Sequence, residues 1–275
     1  GSTTFLSVGE NSDTDPDLLL TGQLSGGSGL TELYTNDGSG DFTTAGAGLQ
    51  AVSGGKSAAT DLTGDGNSEV VLTGADNDGN SVLTVYENDG TGSFSVLESS
   101  TEGGTDLSGV LFGSISHGDL NGDGEVDLVV TGAGSSLETK TALYLNTGLG
   151  SFSQDPQSTG GNSSVFAGVT GGSSTVTDID ADGDLDIILT GAANVSLSFG
   201  AFTPSFDTPQ AALYVNDGEG NFTQKQVGLT PVLRSASAAF DYGGDADTDL
   251  IITGRDTDAE ATAVIYENTL DLMPQ

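Results

Sequence analysis

Acidic and amide side chains recur at alternate positions in a phrase that this chain repeats. The three fullest copies read DLTGDGNSEVVLTG from Asp61, DLNGDGEVDLVVTG from Asp119 and DIDADGDLDIILTG from Asp178. A looser copy begins at Asp241, and the end of a fifth copy begins at Asp13. Each copy then enters an apolar run that closes with Thr-Gly. Clustered oxygen donors on a turn that contains glycine are typical of cation sites.

The third copy shows how such a phrase could surround one cation. Side-chain oxygens stand at its first, third, fifth and ninth places, and the seventh place offers a backbone carbonyl. These places are Asp119, Asn121, Asp123, Asp127 and, for the carbonyl, Glu125. Gly124 permits the sharp turn that points the donors inward. Hard oxygen ligands on a flexible loop favour Ca²⁺ over Mg²⁺, and zinc would need His or Cys.

Two other interpretations of the acidic phrase are weaker. An EF-hand needs Glu at place twelve and a flanking helix, but place twelve here is Leu72, Val130 or Leu189, inside an apolar run. Asp, Asn and Gly also dominate turns that bind no metal. Three full copies at a regular spacing favour metal binding over ordinary turns. We expect any bound ion to be structural, because each cluster joins neighbouring strands of one repeat.

The spacing of the phrase predicts the architecture. The Thr-Gly pairs at Thr21, Thr73, Thr131, Thr190 and Thr253 lie 52–63 residues apart. A second marker keeps the same period, because Tyr34, Tyr86, Tyr144 and Tyr214 are each followed by Asn two residues on and by Phe eight residues on. Tyr266 begins the same phrase again. Two markers in register indicate internal repeats over nearly the whole chain.

Each repeat divides into short strands rather than helices. In the third repeat we predict strands at 111–117, 128–131 and 141–145, and a fourth that opens at Phe152; Asn-Thr-Gly or Asn-Asp-Gly turns give the hairpin signal. The sequence therefore predicts an all-β chain: a single β-propeller domain, 1–275, of five four-stranded blades. The predicted blades are 1–50, 51–103, 104–161, 162–227 and 228–275. The last blade lacks an evident fourth strand, for which 270–273 is a poor candidate, and the chain could instead belong to a longer array.

The acidic phrase resembles the calcium loop between the first two strands of an FG-GAP or VCBS-type blade, as in the integrin α-subunit propeller. The resemblance implies Ca²⁺ as the cofactor, with three strong sites and one or two weaker ones. In the second repeat it implicates Asp61, Thr63, Asp65, Asn67 through its carbonyl, and Glu69. In the third it implicates the five residues named above, and in the fourth Asp178, Asp180, Asp182, Asp184 (carbonyl) and Asp186. The weaker sets are Asp241, Asp245, Asp247 (carbonyl) and Asp249 in the fifth repeat, and Asn11, Asp13, Asp15 (carbonyl) and Asp17 in the first. The fourth repeat carries the most charge, so we predict the tightest site there.

Charge and composition limit the partners. With 40 Asp and Glu against 5 Lys and Arg, the net charge is −35, which excludes nucleic acid as a partner and disfavours anionic membranes. A surplus beyond what the loops need suggests a saline, halophilic setting. There is no Cys, and no apolar run is long enough to span a bilayer.

The function implied by the resemblance is an extracellular or cell-surface binding or adhesion module without catalysis, which takes a protein or glycan at a loop rim. The alternatives are a polysaccharide-active enzyme on a propeller and a glycan-binding lectin. A long insertion at 192–210 is a candidate ligand loop through Phe199, Phe202 and Phe206, although these rings could instead fold back onto the propeller.

Overall fold

The chain forms only β-structure and turns in the part that can be described. The computed structural model describes residues 1–8, 15–100, 107–158, 165–197, 204–258 and 260–268. Those residues contain no α-helix, and the only helical turn among them is a 3₁₀ turn at Pro156–Ser158. Nor do they include a helix long and apolar enough to cross a membrane. The predicted all-β class is confirmed.

Within the described residues nineteen strands form five antiparallel sheets, and in each sheet the strands follow one another in chain order. The first sheet is β1 (Ser2–Leu6), β2 (Asp17–Gln23), β3 (Gly29–Asn36) and β4 (Phe42–Ala45). The second is β5 (Ser53–Thr60), β6 (Glu69–Ala75), β7 (Ser81–Asn88) and β8 (Phe94–Ser99). The third is β9 (Leu111–Gly118), β10 (Asp127–Ala133), β11 (Thr139–Asn146) and β12 (Phe152–Gln154). The fourth is β13 (Thr170–Thr177), β14 (Asp186–Leu197), β15 (Pro204–Asn216) and β16 (Phe222–Lys225), and the fifth is β17 (Leu233–Phe240), β18 (Asp249–Arg255) and β19 (Ala261–Tyr266).

The sheets stack face to face in chain order, as propeller blades do. Each of four hydrophobic clusters draws its buried residues from two consecutive sheets. The first strands of neighbouring sheets also pack against one another, from β1 to β17. The second strands lie inside this stack, so β6 and β10 are buried along their whole length. This explains why they are continuous apolar runs rather than alternating ones.

A closed ring is not seen among the described residues. The packing between first strands ends at β17, which has no comparable contact with β1. The first and last sheets of the stack each leave residues of their first strand exposed: every second residue of β17 is exposed, and Phe5 in β1 is 65% exposed. The number of blades in a complete ring therefore stays a prediction. The predicted fourth strand of the last blade, 270–273, lies outside the described residues.

The recurring Thr-Gly pair is explained by a bulge in the first strand of each of the last four sheets. The ladders between β5 and β6, β9 and β10, β13 and β14, and β17 and β18 all shift register there. The bulge brings backbone against the second-strand glycine. At Gly132, where φ is 151°, a Cβ would lie 2.7 Å from Val110 Cβ and 2.9 Å from the Leu111 carbonyl oxygen. Only glycine fits so close an approach.

Residues 192–197 and 204–210 of the predicted loop are strand instead, and 198–203 lie outside the described residues. The two described parts continue the β14–β15 ladder, with Val195 opposite Phe206 and Asn194 opposite Asp207. Consecutive strands run in opposite directions, so this extended hairpin lies at the end of the strands opposite to the end that carries the acidic loops. Residues whose side chains alternate across a hairpin can extend a ladder even where turn-forming residues are frequent.

Replacing Gly132 with alanine should destabilise the fold, since its Cβ would collide with backbone and side-chain atoms that are themselves buried. We expect a loss of about 2–4 kcal/mol in the free energy of unfolding, measured by urea titration. Gly92 is the control, because it also has a positive φ but a Cβ there would meet nothing within 4 Å. Equal losses for Gly132→Ala and Gly92→Ala would show that backbone conformation, not the close approach, selects glycine.

Candidate metal centre

The acid at the ninth place of each acidic loop is a buried hydrogen-bond acceptor. The five ninth-place acids are Asp17, Glu69, Asp127, Asp186 and Asp249, all at most 2% exposed. In the third loop, Asp127 Oδ2 accepts the Leu120 N–H at 2.9 Å, and Oδ1 accepts the Asn146 N–H at 2.8 Å. The same pair of bonds recurs at Asp17, Asp186 and Asp249. Asp127, Asp186 and Asp249 thus each tie the second place of their acidic loop to the end of the third strand in the same sheet.

The Asn two residues after the repeat tyrosine connects neighbouring loops. In the third, fourth and fifth repeats its side-chain amide donates to the carbonyl oxygen at the second place of the preceding repeat's acidic loop. Asn146 Nδ2 lies 2.9 Å from Leu62 O, Asn216 Nδ2 lies 2.9 Å from Leu120 O, and Asn268 Nδ2 lies 2.6 Å from Ile179 O. The sequence showed this Asn only as a repeat marker. Its register with the acidic loops was the signal that could have revealed the contact.

These bonds join into one buried relay. Glu69 accepts from Leu62 N–H at 2.7 Å, and Leu62 O accepts from Asn146, whose own N–H reaches Asp127. The pattern then repeats through Leu120, Asn216, Asp186, Ile179 and Asn268 to Asp249. The loops of four consecutive sheets are therefore held in fixed positions relative to one another.

The fourth loop brings three of its acids together. Asp178, Asp180 and Asp186 each present a carboxylate oxygen within 4.8 Å of the other two. Two of these oxygens, Asp178 Oδ1 and Asp180 Oδ1, are buried and have no hydrogen-bond partner. Burial, followed by the charges of Asp182 and Asp178, raises the pKa of Asp180. Buried, unpaired and mutually repelling carboxylates are the arrangement that a bound cation would stabilise.

The fifth loop forms a second such group. Asp241, Asp245 and Asp249 bring carboxylate oxygens within 4.8 Å of one another, although Gly243 occupies the third place. The predicted carbonyl donor, Asp247, has a buried Oδ1 without a hydrogen-bond partner. Burial and the neighbouring Asp245 raise the pKa of Asp247. Ala246 takes the left-handed conformation, with φ of 70°, at the place where other loops have glycine.

The second loop also contains buried side-chain oxygens without hydrogen-bond partners, whereas the third loop forms hydrogen bonds among its own residues. Thr63 Oγ1 and Glu69 Oε1 are buried without partners. In the third loop Asn121 Nδ2 bonds Asp123 Oδ2 at 2.9 Å, and Asp119 accepts the N–H groups of Gly122 and Gly124. In the second loop the carboxylates of Asp61 and Asp65 likewise accept hydrogen bonds from backbone N–H groups, including those of Gly64 and Asn67.

Of the first loop only Asp15 and Asp17 are described, and Asn11 and Asp13 lie outside the described residues. The positions predicted as carbonyl donors, Asn67, Glu125 and Asp184, each donate their backbone N–H to the fifth-place Asp of the same loop, at 2.8–3.0 Å. This bond holds the turn in the form that would let the seventh-place carbonyl face inward.

Replacing Asn216 with alanine should break the relay between the third and fourth loops. It removes the donor to two carbonyl oxygens, those of Leu120 and Leu185, so we expect the free energy of unfolding to fall by about 1–3 kcal/mol in urea titration. Asn221 is the control, because its exposed amide bonds only the Asp217 carboxylate. Asn221→Ala should change stability by less than about 0.5 kcal/mol. A similar loss in both variants would contradict a role for the relay.

Two of the buried ninth-place acids, Asp127 and Asp186, should make the metal-free protein more stable in mild acid. Burial raises the pKa of Asp127 and of Asp186 to about 6, above the unfolded value of 3.8. Because the folded chain binds these protons at a higher pH, its stability should rise as pH falls from about 7 through 6 towards 4. With chelator present, we expect a gain of about 2–5 kcal/mol in urea titrations, which Asp186→Asn should reduce. An identical pH dependence in wild type and Asp186→Asn would contradict this assignment.

Comparison with known proteins supports the repeat assignment. The family model described as FG-GAP-like repeat matches residues 61–130 and again 119–189, so each match begins at the first place of an acidic loop. Comparison with the curated proteins gave no significant match. The matched segments contain the second, third and fourth acidic loops, and the structure places the fifth loop, 241–249, between β17 and β18 after them. Residues 61–189 therefore belong to the FG-GAP-type repeat family.

Proposed function

We propose that this chain is a calcium-stabilised, integrin-α-like β-propeller that acts as an extracellular or cell-surface binding or adhesion module. The observation that carries the proposal is the fourth acidic loop, where three carboxylates converge and two of their oxygens are buried without partners. FG-GAP-type repeats are typical of extracellular proteins, which supports the location.

The donors at these loops suit Ca²⁺. Asp178, Asp180 and Asp186 in the fourth loop, and Asp241, Asp245 and Asp249 in the fifth, would hold the ion through carboxylate oxygens. Thr63 and Glu69 would contribute their unpartnered oxygens in the second loop. Several hard oxygen ligands on a loop that can adjust favour Ca²⁺, whereas Mg²⁺ requires a smaller and more regular site. The ion would supply the positive charge that offsets repulsion among these acids.

The role of the ion in this proposal is structural rather than catalytic. The ninth-place acids use their oxygens to hold backbone N–H groups of the loop and the third strand, so a cation at the loop strengthens a joint within the fold. The relay carries this effect between sheets.

The ligand-binding rim in this proposal is the edge that carries the extended β14–β15 hairpin. Phe206 on β15 lies over the bulges of three neighbouring first strands: its ring centroid is 5.9 Å from that of Phe112 and 5.5 Å from Arg234 Cζ, and it covers Gly171. This ring is half-buried and braces the hairpin. Phe199 and Phe202, predicted beside it, lie outside the described residues.

Removing calcium should lower the melting temperature, and Ca²⁺ binding should depend on the acids of the fourth loop. In low salt, adding Ca²⁺ at about 100 times its dissociation constant should stabilise the protein by about 3 kcal/mol for each site, and Mg²⁺ should stabilise it less. Asp180→Asn should weaken one binding event in calorimetric titration. Asp207→Asn, which changes an exposed acid on the hairpin, is the matched control. No heat of binding and an unchanged melt in chelator would overturn the calcium assignment.

The ligand-binding role is tested separately, at the rim that carries the β14–β15 hairpin. A glycan array and a surface-protein panel, each probed with and without Ca²⁺, should give specific binding. Replacing residues 193–208 with the five-residue turn 76–80 should abolish this binding while the Ca²⁺-dependent melt is kept. Binding that survives the exchange would place the ligand elsewhere, and turnover of a bound polysaccharide would show that the chain is an enzyme.

A further inference from the structure

The bulges in the first strands of the last four sheets share a left-handed backbone but differ in side chain. The first bulge residue has a φ of 61° at Gly54, 54° at Phe112, 62° at Gly171 and 49° at Arg234. Glycine adopts this conformation without strain, whereas Phe and Arg adopt it at a cost in free energy. A strained residue with a large side chain, where glycine serves in the neighbouring sheets, points to a role for that side chain.

Phe112 and Arg234 form a row with Phe206 across the hairpin rim. The Phe112 ring lies against Gly54 of the preceding sheet, since a Cβ there would be 3.0 Å from Phe112 Cε1. Phe206 meets Phe112 edge to face, with 5.9 Å between ring centroids, and lies against Gly171. Arg234 Cζ follows at 5.5 Å from the Phe206 centroid. Side chains of three consecutive sheets thus converge in one rim row, Phe112, Phe206 and Arg234.

The guanidinium of Arg234 has donors that its own chain does not use. The residue is exposed, and Nη2 donates one long hydrogen bond, 3.5 Å, to the Pro204 carbonyl oxygen. Within the described part of the chain the only ion pair joins Lys140 to Glu138, so Arg234 has none there, although the sequence has 40 Asp and Glu against 5 Lys and Arg. A planar guanidinium fork fits a carboxylate through two parallel hydrogen bonds.

Most cationic side chains stand toward this rim rather than toward the acidic loops. Lys56, Lys140 and Arg234 lie in the first half of strands that begin at the rim, and Arg255 is the last residue of β18, which ends there. The acidic loops lie at the other end of the strands. An anionic ligand would therefore meet less repulsion at the rim than at the loops.

We propose that the rim row binds a saccharide that carries a carboxylate, as the uronic acid residues of acidic polysaccharides do. The inference rests on the proposed ligand-binding rim and names the ligand class for it. Arg234 would hold the carboxylate through paired hydrogen bonds, and the rings of Phe112 and Phe206 would pack against the C–H groups of the sugar. A sugar ring joins an apolar face to its carboxylate at one residue. The Asp and Glu side chains of an acidic peptide have no ring-sized apolar face beside theirs.

Two matched ligands test the carboxylate. In calorimetric titration of the Ca²⁺-loaded protein at low salt, tetragalacturonate should bind saturably, and its neutral methyl ester should bind about tenfold or more weakly. Equal binding of acid and ester would overturn the acidic class and leave a sugar-binding rim in place. Hexaglutamate tests the alternative ligand class: binding as tight as that of tetragalacturonate would indicate an acidic peptide and overturn the saccharide assignment.

Arg234→Gly localises the site. Glycine fits the left-handed backbone, as Gly54 and Gly171 do in the equivalent bulges, so the variant should melt close to wild type while the affinity for tetragalacturonate falls about tenfold or more. Arg255→Gln is the matched control, because it removes the same charge from another exposed residue at the rim. It should bind as wild type does. An equal loss in both variants would show general charge attraction and contradict a site at the rim row.

Two further variants separate the cation from the ring. Arg234→Lys keeps the charge without the planar fork, so its affinity should fall between those of wild type and Arg234→Gly. Phe112→Leu keeps an apolar contact with Gly54 but removes the ring, and should weaken binding of the acid with no change in charge. If no variant of the rim row affects binding and chelator abolishes it, Ca²⁺ joins the ligand to the acidic loops and the inference is wrong.

The outcome is distinguishable from that of the proposed function. A neutral glycan that the array identifies, and that the exchange of residues 193–208 abolishes, would support the rim and refute the acidic class. Binding of tetragalacturonate that depends on Arg234 would support both.

Discussion

The structure depends on one buried charge in each repeat, the ninth-place acid. Its two oxygens hold the second residue of the acidic loop and the end of the third strand, so loop shape and sheet geometry share a single acceptor. A buried carboxylate is costly unless hydrogen bonds or a cation offset the loss of water. The raised pKa of Asp127 and Asp186 is the sign that the N–H donors alone do not fully offset it. A cation at the loop would offset the remaining cost of burying the carboxylate. Metal binding and folding are therefore expected to be linked.

The relay through the repeat Asn explains how separate blades act as one body. Repeat proteins usually gain stability from contacts between nearest neighbours, chiefly apolar ones. Here a polar path runs beside the apolar clusters, and each Asn bonds its own sheet through the backbone and the preceding loop through the side chain. The path ends at Asn268 and Asp249 in the fifth sheet.

The sequence predicted the strands closely because strand and turn preferences are local properties of each repeat. The strands predicted at 111–117, 128–131 and 141–145 are observed at Leu111–Gly118, Asp127–Ala133 and Thr139–Asn146, since apolar runs bounded by Asn-Gly turns leave few other folds. The insertion at 192–210 was predicted wrongly as a loop, because its Pro and Ser content hid a ladder that only pairing with β14 reveals. The acidic positions were found from spacing alone, yet their spacing cannot tell which carboxylates converge. The fifth loop gathers three acids despite Gly243, while the third loop binds its own donors internally.

By itself the sequence determined the repeat period, the all-β class, the position of every acidic loop and the oxygen chemistry offered there. Each of these follows from residue types within one phrase, where turn preference, strand period and ligand identity are local properties. Only the tertiary structure decided which oxygens stay unpartnered and how Asn146 and Asn216 reach the loop of the preceding repeat. Those features join residues up to 96 positions apart, and contacts between distant segments are fixed by how sheets stack rather than by any phrase within them.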